Sequence, residues 1–144
     1  MAVAERNDPY LNFRFLVEIQ GLIVGGFSEV SGLQAETETE EIQEGGVNDY
    51  VHKLPKITKY PNITLKRGIT DSEALWKWHQ EVVNGIIMRK SGFIILMDSE
   101  GNEKWRWSFE DAYPVKWQGP DLKADSSAVA VETLELAHNG LKKF

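Results

Sequence analysis

The sequence predicts a mainly β fold (α+β), an antiparallel β-barrel or sandwich of about seven strands with one flanking α-helix. Three observations point there. Apolar and polar residues alternate with a period of two along several short segments. One segment alone carries the 3.6-residue apolar period of an amphipathic helix. Clusters of Gly, Asn and Asp punctuate the chain between these runs. The length of 144 residues suits one domain spanning 1–144, able to bury roughly 70% of its unfolded surface.

Taken in order, Phe13, Phe15, Val17 and Ile19 share one face of an opening strand, with Arg14, Leu16 and Glu18 between them. Gln20-Gly21 reads as a tight turn into a second strand, Ile23 to Val30, in which Gly25-Gly26 suggests a bulge. Ile63 to Gly68 is a further strand. Thr70 or Asp71 then caps a helix over about 71–84, of three to four turns, with Glu73 in its first turn. Leu75, Trp76, His79, Val82, Val83 and Ile86 recur at helical spacing, and Asn84-Gly85 is its stop. Phe93 to Met97 is a short, wholly apolar strand, followed by a hairpin loop at Asp98 to Asn102. Trp105, Trp107 and Phe109 alternate with Lys104, Arg106 and Ser108, and Val115 and Trp117 with Lys116 and Gln118. The last strand, Ala128 to His138, has an apolar phase that slips between Val131 and Leu134, as a bulge would cause.

Composition narrows the function. Apolar residues at 42% and charged residues at 26% are ordinary globular chemistry. No apolar run approaches the ~20 residues of a bilayer helix, and Met-Ala-Val-Ala-Glu-Arg lacks the layout of a secretory signal. With Cys at 0 there is no disulfide, thiolate metal site or Cys nucleophile. A net charge of -6 disfavours generic nucleic-acid affinity. His52, His79 and His138 share no local metal-ligand spacing, and His79 beside Trp76 and Trp78 reads as a packed histidine. Gly25-Gly26 and Gly45-Gly46 lack the strand-loop-helix context and the Lys of a phosphate cradle. No catalytic signature, cofactor motif or metal motif stands out. The five Trp residues leave a sugar-stacking platform, and so a carbohydrate-binding module, as an alternative, though Trp105 and Trp107 share a strand face with Phe109 as core residues would.

Two segments do not fit a self-sufficient monomer. Glu36, Thr37, Glu38, Thr39, Glu40 and Glu41 form a strand polar on both faces, which buries nothing by itself and needs neighbours on its edges. The irregular stretch 43–55 is too long for a hairpin turn and carries Val47, Tyr50, Val51 and Leu54 as apolar anchors for an oligomeric partner.

Ordered motifs along nearly the whole chain are familiar. They are Asp8-Pro9-Tyr10 with Asn12 to Ile19, Gly25 to Leu33, Glu44 to Asp49, Lys53-Leu54-Pro55, Leu65 to Thr70, Pro114 to Trp117 with Gly119-Pro120, and Val131 to His138. The set resembles the inner tube protein of contractile phage tails and of phage-tail-like extracellular contractile injection particles, related in fold to the type VI secretion tube protein. The resemblance implies a non-enzymatic subunit that closes into hexameric rings stacked as a hollow tube. It implies a contractile sheath around that tube, baseplate or spike and tube-terminating proteins at its ends, and protein cargo or DNA in its lumen. It implies assembly in the bacterial cytoplasm and a place in a virion tail or released extracellular particle, with no membrane anchoring. A tube-initiating or tip-proximal paralogue is the alternative within the family.

On that resemblance Glu44, Gly45, Gly46, Val47, Asn48, Asp49, Tyr50, Val51, His52, Lys53 and Leu54 form an inter-ring stacking loop. Glu36 to Glu41 form a lateral or lumen strand, making a bore rich in carboxylates that repels acidic cargo. The exposed side of the helix (Glu73, Lys77, Glu81) and the turn with Asp98, Glu100 and Glu103 face the sheath, mainly through charge.

Overall fold

One long bent strand organises the molecule. The computed structural model describes residues 14–22, 26–42, 45 and 52–144. Strand β7 (Glu103–Gln118) belongs to two layers. Its proximal half pairs on one side with β6 (Lys90–Met97), which pairs with β1 (Arg14–Ile19), and on the other side with β9 (Gly140–Lys143). Its distal half pairs with β8 (Val131–Ala137), followed by β5 (Ile63–Gly68) and β2 (Phe27–Ser31). All pairings are antiparallel, in a seven-stranded sheet ordered β1-β6-β7-β8-β5-β2 with β9 attached to β7. The strand turns where Asp111 takes a φ of 52° and where the register shifts between Pro114 and Lys116.

The two layers face each other across the core. Val17, Ile19, Ile94, Phe109 and Ala112 come from the first, Ile63, Leu65, Leu134 and Leu136 from the second. Helix α1 (Ala74–Val83) lies over the turn at Gly21-Leu22 and the start of β6, and it sends Leu75 and Trp78 inward. It closes the end of the barrel where β1 finishes. The barrel is not closed sideways: β1 and β2, the outermost strands, do not pair with each other.

The fold class agrees with expectation, while several elements differ. The runs 105–109 and 115–118 are one strand, and β9 and β4 (His52–Lys59) are additional. The helix starts at Ala74 with Glu73 as N-cap and no side-chain cap, because Thr70 Oγ1 instead accepts the Ser72 N–H in a tight local turn. Trp78 is 2% exposed, whereas Trp76 is 42% exposed and packs edge-on against Trp117. The helix stops as expected at Gly85, whose φ of +84° suits a residue without Cβ. The final strand begins at Val131 and pairs with β5 without a slip. The expected bulge is absent because the inward slot between the apolar positions holds Glu132.

The expected irregular stretch 43–55 is also corrected. Strand β4 begins at His52, so His52, Lys53, Leu54 and Pro55 are strand residues. Glu44, Gly46, Val47, Asn48, Asp49, Tyr50 and Val51 lie outside the described residues, as does Phe13.

Candidate functional site

A protein with this patterning works through surfaces. The second layer supplies the first. Antiparallel partners point to the same face, and the register carries two rows across all four strands. Gln118 lies opposite Thr133, Thr133 opposite Lys66, and Lys66 opposite Glu29. Lys116 lies opposite Glu135, Glu135 opposite Thr64, and Thr64 opposite Ser31. Every member of both rows is polar, while Ile63, Leu65, Leu134 and Leu136 on the reverse face are fully buried. The charges, two lysines and two glutamates, cancel, and Lys66 pairs with Glu29 at 3.6 Å. Glu135 accepts a hydrogen bond from Asn62 Nδ2 at 2.9 Å. Sequence reading missed these rows, although the alternation in β5 and β8 is their signal.

The second surface is an arm. Strand β3 (Glu36–Ile42) pairs with β4 in a separate two-stranded ribbon. Since β2 leads into β3 and β4 into β5, the ribbon prolongs the β2–β5 pair beyond the body. Gly32 marks the junction: its φ is +86°, and a Cβ there would strike the Asn62 carbonyl. The doubly polar strand therefore has one edge paired within its own chain, by a strand bearing Lys53, Lys56 and Lys59. Glu38 pairs with Lys59, which raises the Lys59 pKa through that hydrogen bond and charge. Thr37 and Thr58 hydroxyls meet at 3.0 Å. Four glutamates on β3 against three lysines on β4 leave little net charge, so the ribbon itself is of mixed charge rather than rich in carboxylates alone. Ile42, Leu54 and Ile57 remain exposed on it. Two isolated strands are marginal in water, so such an arm calls for a partner.

The third surface is the flank. Glu73 pairs with Lys77 at 3.4 Å along the helix, and Glu81 is exposed one turn further. Asp98 organises the β6–β7 turn: its Oδ1 accepts the N–H groups of Glu100 and Asn102, each at 2.9 Å. Those bonds, the one from Asn102 foremost, hold the Asp98 carboxyl below its ordinary pKa. Glu103 pairs with Arg106, raising the Arg106 pKa. The helix and turn residues do not converge into a pocket with one another or with the arm. Among the described residues no group of three His, Asp or Glu is placed to hold a metal ion, and no helix is long and apolar enough to cross a membrane. His138, buried, sits between the carbonyls of Gly140 and Pro61 at 3.1 and 3.0 Å, as a packed histidine.

A half-open β-barrel with one polar outer face, an end-capping helix and a protruding arm is the architecture of a tube-forming subunit. The chain belongs to the T4-like virus tail tube protein gp19 family, whose model matches residues 11–142. It is a structural component and not an enzyme. A chain of the anti-feeding prophage baseplate, 6-fold symmetrised, is 26% identical, with 96% of this chain and 97% of that chain covered and a TM-score of 0.86. A chain of the PVC extracellular contractile injection system, from its sheath-tube complex in the extended state, is 25% identical over 94% and 91%, with a TM-score of 0.85. A chain of the anti-feeding prophage tube-terminating cap is 26% identical over 99% and 95%, at 0.84. Hcp1 from Flavobacterium johnsoniae shares the fold alone, at 16% identity and a TM-score of 0.53. No curated protein sequence matches significantly.

Proposed function

We propose that this chain is the repeating subunit of the inner tube of a contractile injection particle, closing into six-membered rings that stack. The observation that carries this reading is the polar outer face of the second layer, continuous over four adjacent strands with an apolar reverse face. Six copies contributing four strands each make a closed wall of about 24 strands; at ~4.8 Å spacing and ~45° tilt its backbone circle is roughly 50 Å across. The 6-fold symmetrised baseplate that holds a similar chain supports that number.

In this reading the polar rows line the bore through which cargo passes. The arm, with His52, Lys53 and Leu54 on β4, and the segment Glu44 to Val51 together bridge adjacent rings. A sheath surrounds the tube, in keeping with the sheath-tube complex that holds the PVC relative, and meets the flank bearing Glu73, Lys77, Glu81, Asp98, Glu100 and Glu103. Rim ion pairs of ~0.2–1 kcal/mol each suit a contact that contraction must release. Tube-terminating and baseplate proteins engage the ends, in keeping with the relatives' assemblies.

Negative-stain microscopy of the purified chain tests the reading. Rings or tubes are expected, and a chain that stays monomeric at high concentration and enters no particle refutes it. Deleting residues 44–51 should preserve the fold and the rings while abolishing long tubes.

A further inference from the structure

We propose that an apolar knob at the end of helix α1 seats in the open mouth of the barrel of the next copy. This rests on the tube reading above and assigns one of its subunit contacts. The knob is Val83, Ile86, Ile87 and Met88, which are 62%, 55%, 52% and 50% exposed. Four large apolar side chains within six residues of exposed chain ask for a cover. Unlike a loose loop, this segment is held. The Ile86 N–H donates to Glu81 O at 2.8 Å and the Gly85 N–H to Val82 O at 2.9 Å, a Schellman-type termination. Trp78, itself buried, donates from Nε1 to Met88 O at 2.9 Å and anchors the other side of the segment to the core.

The socket lies at the opposite end of the barrel. Ile19 stands beside Gly92 at the helix end, and Phe15 beside Leu96 four residues away, a rise of about 13 Å. There, between the unpaired β1 and β2, is a cavity of about 290 Å³ lined by Phe15, Val30, Leu33, Ile94, Leu96 and Trp107. A cavity of about 150 Å³ already holds a benzene-sized guest, so this one has room for the tip of the knob. The match is apolar rather than ionic: Glu29 at the socket rim is paired with Lys66, and Arg89 after the knob stacks over the Tyr113 ring and donates to the Asp111 carbonyl. Two unlike, complementary patches at opposite ends of one subunit make a heterologous contact, which is the kind that propagates into a closed ring or a stack. A second copy of this chain is thus the occupant.

The chain has no cysteine, so introduced thiols report one contact only. Copies carrying Ile87→Cys are mixed with copies carrying Ser28→Cys, at the socket rim, and treated with a short bis-maleimide. The expected product is a covalent heterodimer that neither variant forms alone. In parallel, Ile87→Asp should keep the wild-type circular dichroism yet need at least tenfold more protein to assemble. Phe144→Asp, at a site 68% exposed that belongs to neither knob nor socket, should assemble normally. The proposal is overturned when rings form without the heterodimer, when Ile87→Asp assembles at the wild-type concentration, or when Phe144→Asp fails equally. Should the unmodified chain form neither rings nor tubes, the tube reading itself falls, and this contact with it.

Discussion

Arg67 on β5 and Glu132 on β8 form an ion pair within the core, with side chains only 3% and 6% exposed. The guanidinium also donates from Nη2 to the Ser72 carbonyl at 2.9 Å, just ahead of the helix. One buried cation thus ties the second layer to the entry of α1. Arg67→Met leaves Glu132 buried without its partner, and such losses cost about 3–5 kcal/mol. The double variant Arg67→Met/Glu132→Leu should recover most of that, because apolar replacement of both partners is often neutral. Urea unfolding of the three variants measures it; a loss under 1 kcal/mol for Arg67→Met would refute the assignment.

Trp78 makes a second internal tie. Trp78→Phe removes the donor to Met88 O and leaves part of a buried site empty, at an expected cost of about 2–3 kcal/mol. Hydrogen exchange at Ile87 and Met88 should quicken more than in β5, since the segment loses its anchor.

The β6–β7 turn should loosen in acid. The Asp98 pKa is lowered in the folded chain, so its contribution is fully present above the ordinary carboxylate value of about 3.9 and is lost as pH falls through the depressed folded value. Amide signals of Glu100 and Asn102 should move together on titration below pH about 4, and Asp98→Asn should abolish that step.

Charge reversal at Glu81 and Glu100 should weaken sheath attachment and flatten its salt dependence, since fewer attractive pairs remain to be screened, while ring formation stays unchanged. Co-sedimentation with sheath protein at low and high salt reads both effects. Indifference to both would place the contact elsewhere.

Much of this fold was legible because alternation survives translation into structure. Val17 and Ile19 in β1 face the core as their spacing requires, and Gly85 stops the helix as a residue free to take positive φ should. What escaped was long-range pairing. Glu132 broke the apolar phase of β8, and its partner Arg67 lies 65 residues away, so the slot read as a bulge. The polar strand β3 seemed to lack an edge partner because β4 is itself mostly exposed, with Pro55 inside it, and shows no apolar face to announce a strand. Trp76 and Trp78 share the helix, and only packing decided which of them enters the core. The polar rows of the second layer were the least visible part, because they exist only once four strands separated in sequence come into register.

Those rows also bear on friction. In the proposed tube, rows whose charges cancel within each four-strand repeat would cast no net field of their own into the channel. Their alternating pattern repeats every ~26 Å around the circumference once the ~45° tilt is included, and the potential of such a grating dies away over about 4 Å, inside the ~8 Å Debye length of physiological salt. A body travelling down the axis would therefore meet no deep electrostatic wells, whatever its own sign. The tube would act as a lubricated barrel, in which transit speed depends on hydration and fit rather than on the charge of what is carried.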